Sequence, residues 1–146
     1  MVINMAEENQ VNIVDEINYT KSLIDSLDTQ LNGLLRGMEE IRRVQTILKD
    51  TEISGSRDRR ISIGAGIFAL GNIDTKSRML VPIGSDVYIE EDPEKLSNRL
   101  DRNITDLQNS IGTLNTRRSD LVNRYEALLS VVNQAREEEQ GKSRNV

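Results

Sequence analysis

Residues 61–69 read ISIGAGIFA, and residues 81–89, twenty positions later, read VPIGSDVYI. Each copy places β-branched or aromatic residues on both sides of a glycine-led turn, which is typical of a β-hairpin. A polar loop, residues 72–78, separates the two copies. A lone two-stranded hairpin is only marginally stable in water, and its outer edges are unpaired. We therefore expect the two hairpins, residues 59–90, to pair with strands of other chains.

The predicted assembly surface consists of the large apolar side chains of the two copies. They are Ile61, Ile63, Ile67, Phe68, Leu80, Ile83, Val87, Tyr88 and Ile89. Pro82 has no N–H group to donate to a neighbouring strand. We therefore expect its strand to lie at an edge, or its missing donor to face away from a partner.

A heptad pattern of apolar residues precedes the hairpins, with Thr20 and Gln45 as its two polar interruptions. Five heptads of this kind are typical of a coiled coil. The pattern predicts a helix over about residues 8–54, which ends near Gly55. Its apolar a and d residues are Ile13, Ile17, Ile24, Leu27, Leu31, Leu34, Met38, Ile41 and Leu48.

A second heptad pattern follows the hairpins and predicts a helix over about residues 92–139. Asp92 and Pro93 are suited to the N-cap and first helical positions. Arg118 is the polar intruder at an a position, and such residues often determine the register of a coiled coil. Because three glutamates at 137–139 oppose the helix dipole, we expect an irregular chain from Gly141 onward. The other seam residues are Leu100, Ile104, Leu107, Ile111, Leu114, Leu121, Tyr125, Leu128 and Val132.

The two seams have equal lengths, residues 13–48 and 97–132, and flank the hairpins. The predicted fold is therefore α+β: a long antiparallel two-helix coiled coil with two small β-hairpins at one end, in a single domain over residues 1–146. The other end carries more apolar residues than two seams require. We call these the tip residues: Val11, Val14, Leu128, Leu129, Val131 and Val132.

Composition excludes most catalytic chemistry. The chain has no histidine and no cysteine, which removes nucleophile–histidine pairs and thiolate metal sites. The acidic run Glu90, Glu91, Asp92 and Glu94 is explained by helix capping, so we predict no metal, no cofactor and no enzymatic activity. A net charge of −5 argues against nucleic-acid binding, and no apolar run is long enough for a membrane span. We expect a cytoplasmic protein.

The order of these elements, with IGAGIFA at 63–69, LVPIG at 80–84 and VYIE at 87–90, resembles the alpha-class subunits of archaeal-type prefoldin. The doubled hairpin is the discriminating feature, since beta-class subunits carry one. GSD at 84–86 differs from the Gly-Ala-Gly that the family tends to repeat, and RIS at 60–62 from its apolar-Val-Pro. The resemblance implies a hexamer of two alpha and four beta subunits, whose hairpins close into a β-barrel body. It also implies that the coiled coils hold unfolded proteins without ATP, for transfer to a group II chaperonin, and the tip residues are the candidate client-binding site.

Two other functions remain open at this level. A coiled-coil scaffold that never touches unfolded clients should present specific polar or aromatic anchors at the tip, whereas a holdase needs only adaptable aliphatic surface. An RNA-binding arm would need a basic stripe, for which Arg117, Arg118 and Arg124 are the candidates. The net negative charge of the chain argues against an RNA-binding function.

Overall fold

The computed structural model describes residues 5–49 and 59–145. It contains two long helices and two small antiparallel hairpins, which confirms the predicted α+β class. The predicted end of the first helix near Gly55 lies outside the described residues. The elements are α1 (Met5–Lys49), β1 (Arg59–Gly64), β2 (Ile67–Gly71), β3 (Met79–Gly84), β4 (Val87–Glu91) and α2 (Pro93–Arg144).

The chain divides into two compact units. The terminal unit comprises the described residues up to Leu35 and those from Asn109 onward, and the hairpin unit comprises Arg36–Gln108. Within the described residues, neither helix carries an apolar stretch that could cross a lipid bilayer.

In the terminal unit, α1 and α2 run antiparallel. Near the chain ends, Gln10 Nε2 donates to Glu139 Oε1 at 3.3 Å, and further along Asp28 pairs with Arg118. The a and d side chains that the heptads predict are covered: Leu27 and Leu31 are buried, and their a and d neighbours on both helices are half-buried. Leu23, Val122 and Leu129, which lie outside the seams, are half-buried as well. Burial of this stripe stabilises the pair at roughly 25 cal/mol per Å² of apolar surface.

Thr20 is a buried member of the seam rather than a break in it. Only 2% of its surface is exposed. Its hydroxyl donates to the carbonyl oxygen of Glu16 at 2.7 Å, one turn earlier in the same helix. A threonine can therefore replace an apolar seam residue here, because its polar group is satisfied without a partner on α2.

In the hairpin unit, the end of α1 and the start of α2 are also antiparallel. Gln45, the second polar interruption, donates from Nε2 to Asp101 Oδ1 at 2.6 Å. Leu96 and Leu100 of α2 are buried. The helix begins at Pro93, and the Leu96 N–H donates to the Asp92 carbonyl at 2.9 Å, in agreement with the predicted N-cap.

The end of α2 differs from the expectation of an irregular chain from Gly141, because the helix continues to Arg144. Lys142 and Arg144 lie in its last turn. Positive charges interact favourably with the C-terminal end of a helix dipole, and they offset the unfavourable effect of the glutamates at 137–139.

Candidate functional site

The two hairpins share one register, displaced by twenty residues. Ser62 opposes Phe68 in the first, and Pro82 opposes Tyr88 in the second. Each register shifts by one residue just before its turn, which is a β-bulge. The hairpins form two separate two-stranded sheets. Pro82 therefore lies on an edge strand, in agreement with the prediction for a strand that lacks one donor.

Each turn opens on a glycine with positive φ, Gly64 (φ 111°) or Gly84 (φ 114°), and continues with two residues in the αL region, as a tight hairpin turn requires. In the first turn these are Ala65 (φ 51°) and Gly66 (φ 75°), and in the second they are Ser85 (φ 50°) and Asp86 (φ 59°). Aspartate tolerates this conformation better than most residues do. The GSD sequence at 84–86 therefore keeps the turn geometry of the GAG sequence at 64–66.

The turn conformation predicts opposite effects for two glycine replacements. Gly66→Ala should destabilise the first hairpin by about 1 kcal/mol, because its φ is positive and alanine disfavours that region. Gly112→Ala should stabilise α2 by up to about 1 kcal/mol, because alanine has a higher helix propensity than glycine. The added Cβ would meet no atom within 4 Å. Amide hydrogen exchange of β1 and β2 checks the first change, and thermal unfolding of the helices checks the second. Equal effects of the two replacements would contradict the prediction.

The hairpins expose a dense set of large apolar side chains. Ile61 and Ile89 of the predicted set are half-buried, and the other seven are exposed. Leu70, which the sequence analysis did not single out, is exposed as well and opposes Arg60 across the first hairpin. Its β-strand position next to IGAGIFA was the available signal. Apolar surface concentrated in this way usually marks an interaction site. We call the following the hairpin surface, each with more than half of its area exposed: Ile63, Ile67, Phe68, Leu70, Leu80, Ile83, Val87 and Tyr88.

Two ion pairs join the second hairpin and its preceding loop to the start of α2. Arg99 donates from Nη2 to Glu91 Oε1 at 2.9 Å, and the Glu91 side chain is only 11% exposed. Arg78 Nε donates to Asp92 Oδ1 at 3.1 Å. Two of the four acids of the run at 90–94, Glu91 and Asp92, are thus engaged with arginines. Among the described residues, no cluster of carboxylates is arranged to hold a metal ion.

The tip residues divide into two groups. Val11, Val14 and Val131 are 61%, 46% and 49% exposed. Leu128, Leu129 and Val132 are half-buried. Leu129 therefore exposes less of its surface than Val11, Val14 and Val131 do.

An apolar cleft of about 170 Å³ lies between α1 and α2 in the terminal unit. Three of the tip residues line it: Val14, Val131 and Val132. Ala135 also lines it, at the next d position after Leu128, so continuing the heptad would have found this residue. The remaining lining residues are Gln10, Ile13, Arg136 and Glu139.

Arg118, at an a position, forms a two-point contact with Asp28. Its Nε donates to Oδ1 at 2.5 Å and its Nη2 to Oδ2 at 3.3 Å. The hydrogen bond from Arg118 lowers the pKa of the Asp28 carboxyl, and the same bond raises the pKa of Arg118. Arg124 likewise pairs with Glu16. Two of the three arginines proposed for an RNA-binding stripe are thus engaged with acids of α1.

The Asp28–Arg118 pair predicts a pH-dependent stability. A carboxyl whose pKa is lowered in the folded chain contributes stability above its unfolded value of about 4, and this contribution is lost as the pH falls through the folded pKa. Asp28→Asn should therefore lower the melting temperature at neutral pH, and the difference from the parent should shrink below about pH 4. Asp25→Asn is the control, because the Asp25 side chain forms no ion pair with any residue that the structure describes. Circular dichroism melts would contradict the prediction if the difference did not change with pH.

Comparison with known proteins identifies the family. The family model for the prefoldin subunit matches residues 20–138. The prefoldin subunit alpha of Thermoplasma acidophilum is 38% identical over 110 residues, which are 75% of this chain and 85% of that one. The prefoldin subunit alpha of Picrophilus torridus is 41% identical over 99 residues, 68% of this chain and 70% of that one. A chain of the filamentous PFD from Methanocaldococcus jannaschii, solved by cryo-EM, superposes with a TM-score of 0.46 at 15% identity, over 85% of this chain and 98% of that one. This chain belongs to the prefoldin family, as an alpha-class subunit of the archaeal type.

Proposed function

We propose that this chain is a subunit of an ATP-independent holdase, which captures unfolded proteins at the tips of its coiled coils and delivers them to a group II chaperonin. As a prefoldin, the chain is a chaperone subunit and not an enzyme. What we propose beyond this role is the capture of unfolded clients, their delivery to the chaperonin and a cytoplasmic location.

The observation that carries the proposal is the aliphatic character of the exposed tip. Its most exposed members, Val11, Val14 and Val131, are all valines. Unfolded chains present apolar segments without fixed geometry, so aliphatic surface can bind many of them. A scaffold that joins two defined partners would be expected to display aromatic anchors there instead. The tip thus favours the holdase over the scaffold.

The hairpin surface supports the proposed assembly. Eight large apolar side chains remain uncovered on strands whose outer edges are free within the described chain. Strand pairing with other subunits would cover both the apolar surface and the unpaired backbone groups. We infer a complex of two alpha and four beta subunits, in which the hairpins close into a β-barrel body. Several coiled coils held together would increase client affinity through multivalency.

The test is protection of a denatured client without nucleotide. The chain is co-expressed with beta-class prefoldin subunits, the mass of the complex is measured, and a chemically denatured enzyme is diluted into it. We expect light scattering from aggregates to be suppressed equally with and without ATP, and refolding to begin when a group II chaperonin and ATP are added. Failure to suppress aggregation, or a requirement for ATP in the suppression, would overturn the proposal.

A further inference from the structure

A second apolar groove lies beside the tip cleft, on one face of α1. It is lined by Glu7, Gln10, Val11, Val14 and Asp15. Glu7, Val11 and Asp15 follow one another at intervals of four residues, so they form a row along the helix. Each end of that row is a carboxylate, and the exposed valine lies between them.

The two carboxylates give the α1 face of this groove a local excess of negative charge. From Met5 to Thr20 the helix carries four acids, Glu7, Glu8, Asp15 and Glu16, and neither lysine nor arginine. Glu16 pairs with Arg124 of α2, whereas Glu7 and Asp15 lie in no ion pair with any residue that the structure describes. In the neighbouring cleft, Arg136 and Glu139 have opposite charges and offset each other.

Helix stabilisation explains only part of this pattern. Glu7 and Glu8 lie in the first turn of α1, where acids interact favourably with the helix dipole. That effect falls off within one turn, and Asp15 lies two turns further on. Its position beside Val11 therefore has no helix-dipole explanation, but it does complete an acidic border on the apolar groove.

We propose that this groove selects aliphatic client segments that carry lysine or arginine next to the aliphatic residues. The inference rests on the proposed holdase function and names the class of segment that the tip prefers. An aliphatic side chain would cover Val11 and Val14. A neighbouring lysine or arginine would lay its alkyl stem along the apolar surface and bring its charge to Glu7 or Asp15. Segments bordered by acids would be repelled.

Three peptides with the same aliphatic core test the preference, one flanked by lysines, one by serines and one by glutamates. Their binding to the assembled complex is measured by fluorescence anisotropy. At low salt we expect the lysine-flanked peptide to bind about threefold to tenfold tighter than the serine-flanked one, as two exposed ion pairs allow, and the glutamate-flanked peptide to bind weakest. The differences should collapse between about 0.01 M and 1 M salt, because the Debye length falls from about 30 Å to about 3 Å.

Isosteric variants assign the preference to the groove. The double variant Glu7→Gln, Asp15→Asn should lose the discrimination among peptides and still bind the serine-flanked one. The control, Asp106→Asn with Asp120→Asn, makes the same change in charge at two exposed acids of α2 that do not line either groove. Equal binding of the three peptides by the parent, or a preference that survives in the groove variant, would overturn the inference.

A third variant separates this inference from the proposed function. Val11→Ser with Val14→Ser should weaken all three peptides, because it removes the aliphatic contact that they share. If this variant bound the serine-flanked peptide as well as the parent does, capture at the tip itself would be contradicted. If the valine variant bound the serine-flanked peptide weakly, but the Glu7→Gln, Asp15→Asn variant kept the parent's discrimination among peptides, only the proposed charge preference would be contradicted.

Discussion

Replacing Ile67 and Val87 with lysine should abolish assembly and leave the helices folded. The two residues occupy equivalent positions just after the turns of the two hairpins, and both are exposed in the single chain. In the proposed β-barrel body they would be covered by other strands. An uncompensated buried charge costs about 3 kcal/mol or more. Two of them would weaken association by about four orders of magnitude.

Native mass spectrometry of the chain with beta-class subunits measures this effect. Circular dichroism at 222 nm checks the helices, whose seams do not include either residue. Asn72→Lys adds one positive charge to the exposed loop between the hairpins and should assemble normally. A complex of parental mass from the Ile67→Lys, Val87→Lys variant would show that assembly does not use the hairpin surface.

Replacing Val11, Val14 and Val131 with serine should remove most client protection without changing assembly. Each side chain is about half exposed or more, so the helix pair loses little of its own core. Each valine that is replaced reduces the free energy of client binding by about 1 kcal/mol, because its aliphatic contact is lost. Three replacements therefore weaken client binding by about a hundredfold at one tip. Multivalent contact would enlarge the loss in the complex.

The mass of the assembled variant is measured first, followed by light scattering from a denatured client. The control is Leu35→Ser with Val44→Ser, which removes two exposed aliphatic side chains of α1 that are not tip residues. We expect the control to protect the client as the parent does. Parental protection by the three-valine variant would locate client binding elsewhere on the chain.

Local sequence signals predicted much of this architecture. The hairpin doubling was visible because its residues repeat at a fixed interval of twenty, and the structure reproduces that interval in the strand register. The start of α2 was predictable because Asp92 and Pro93 are a capping pair within one turn. Most of the buried stripe of each helix follows from its heptads, since a helix repeats every 3.6 residues. Leu96, which is buried at the start of α2, lies outside the predicted seam.

The way in which polar seam residues are accommodated was not predictable to the same degree. Arg118 pairs with Asp28, which is ninety positions away in sequence, and Gln45 pairs with Asp101. These contacts depend on the register of one helix against the other. The heptad pattern of a single helix does not specify that register. Thr20 is the opposite case, because its hydroxyl is satisfied within α1. Its burial nevertheless requires cover from neighbouring side chains.

The sequence by itself determined the elements, their order, the seams and the doubled hairpin, because each depends on residues close together in the chain. Only the tertiary structure decided which apolar residues remain uncovered. Leu129 and Val131 both lie outside the seam of α2, yet Leu129 is half-buried and Val131 is exposed. Exposure depends on the surface of the opposing helix, and that surface is set by the packing of α1 and α2. The candidate client-binding surface is therefore a property of the helix pair and not of either sequence pattern alone.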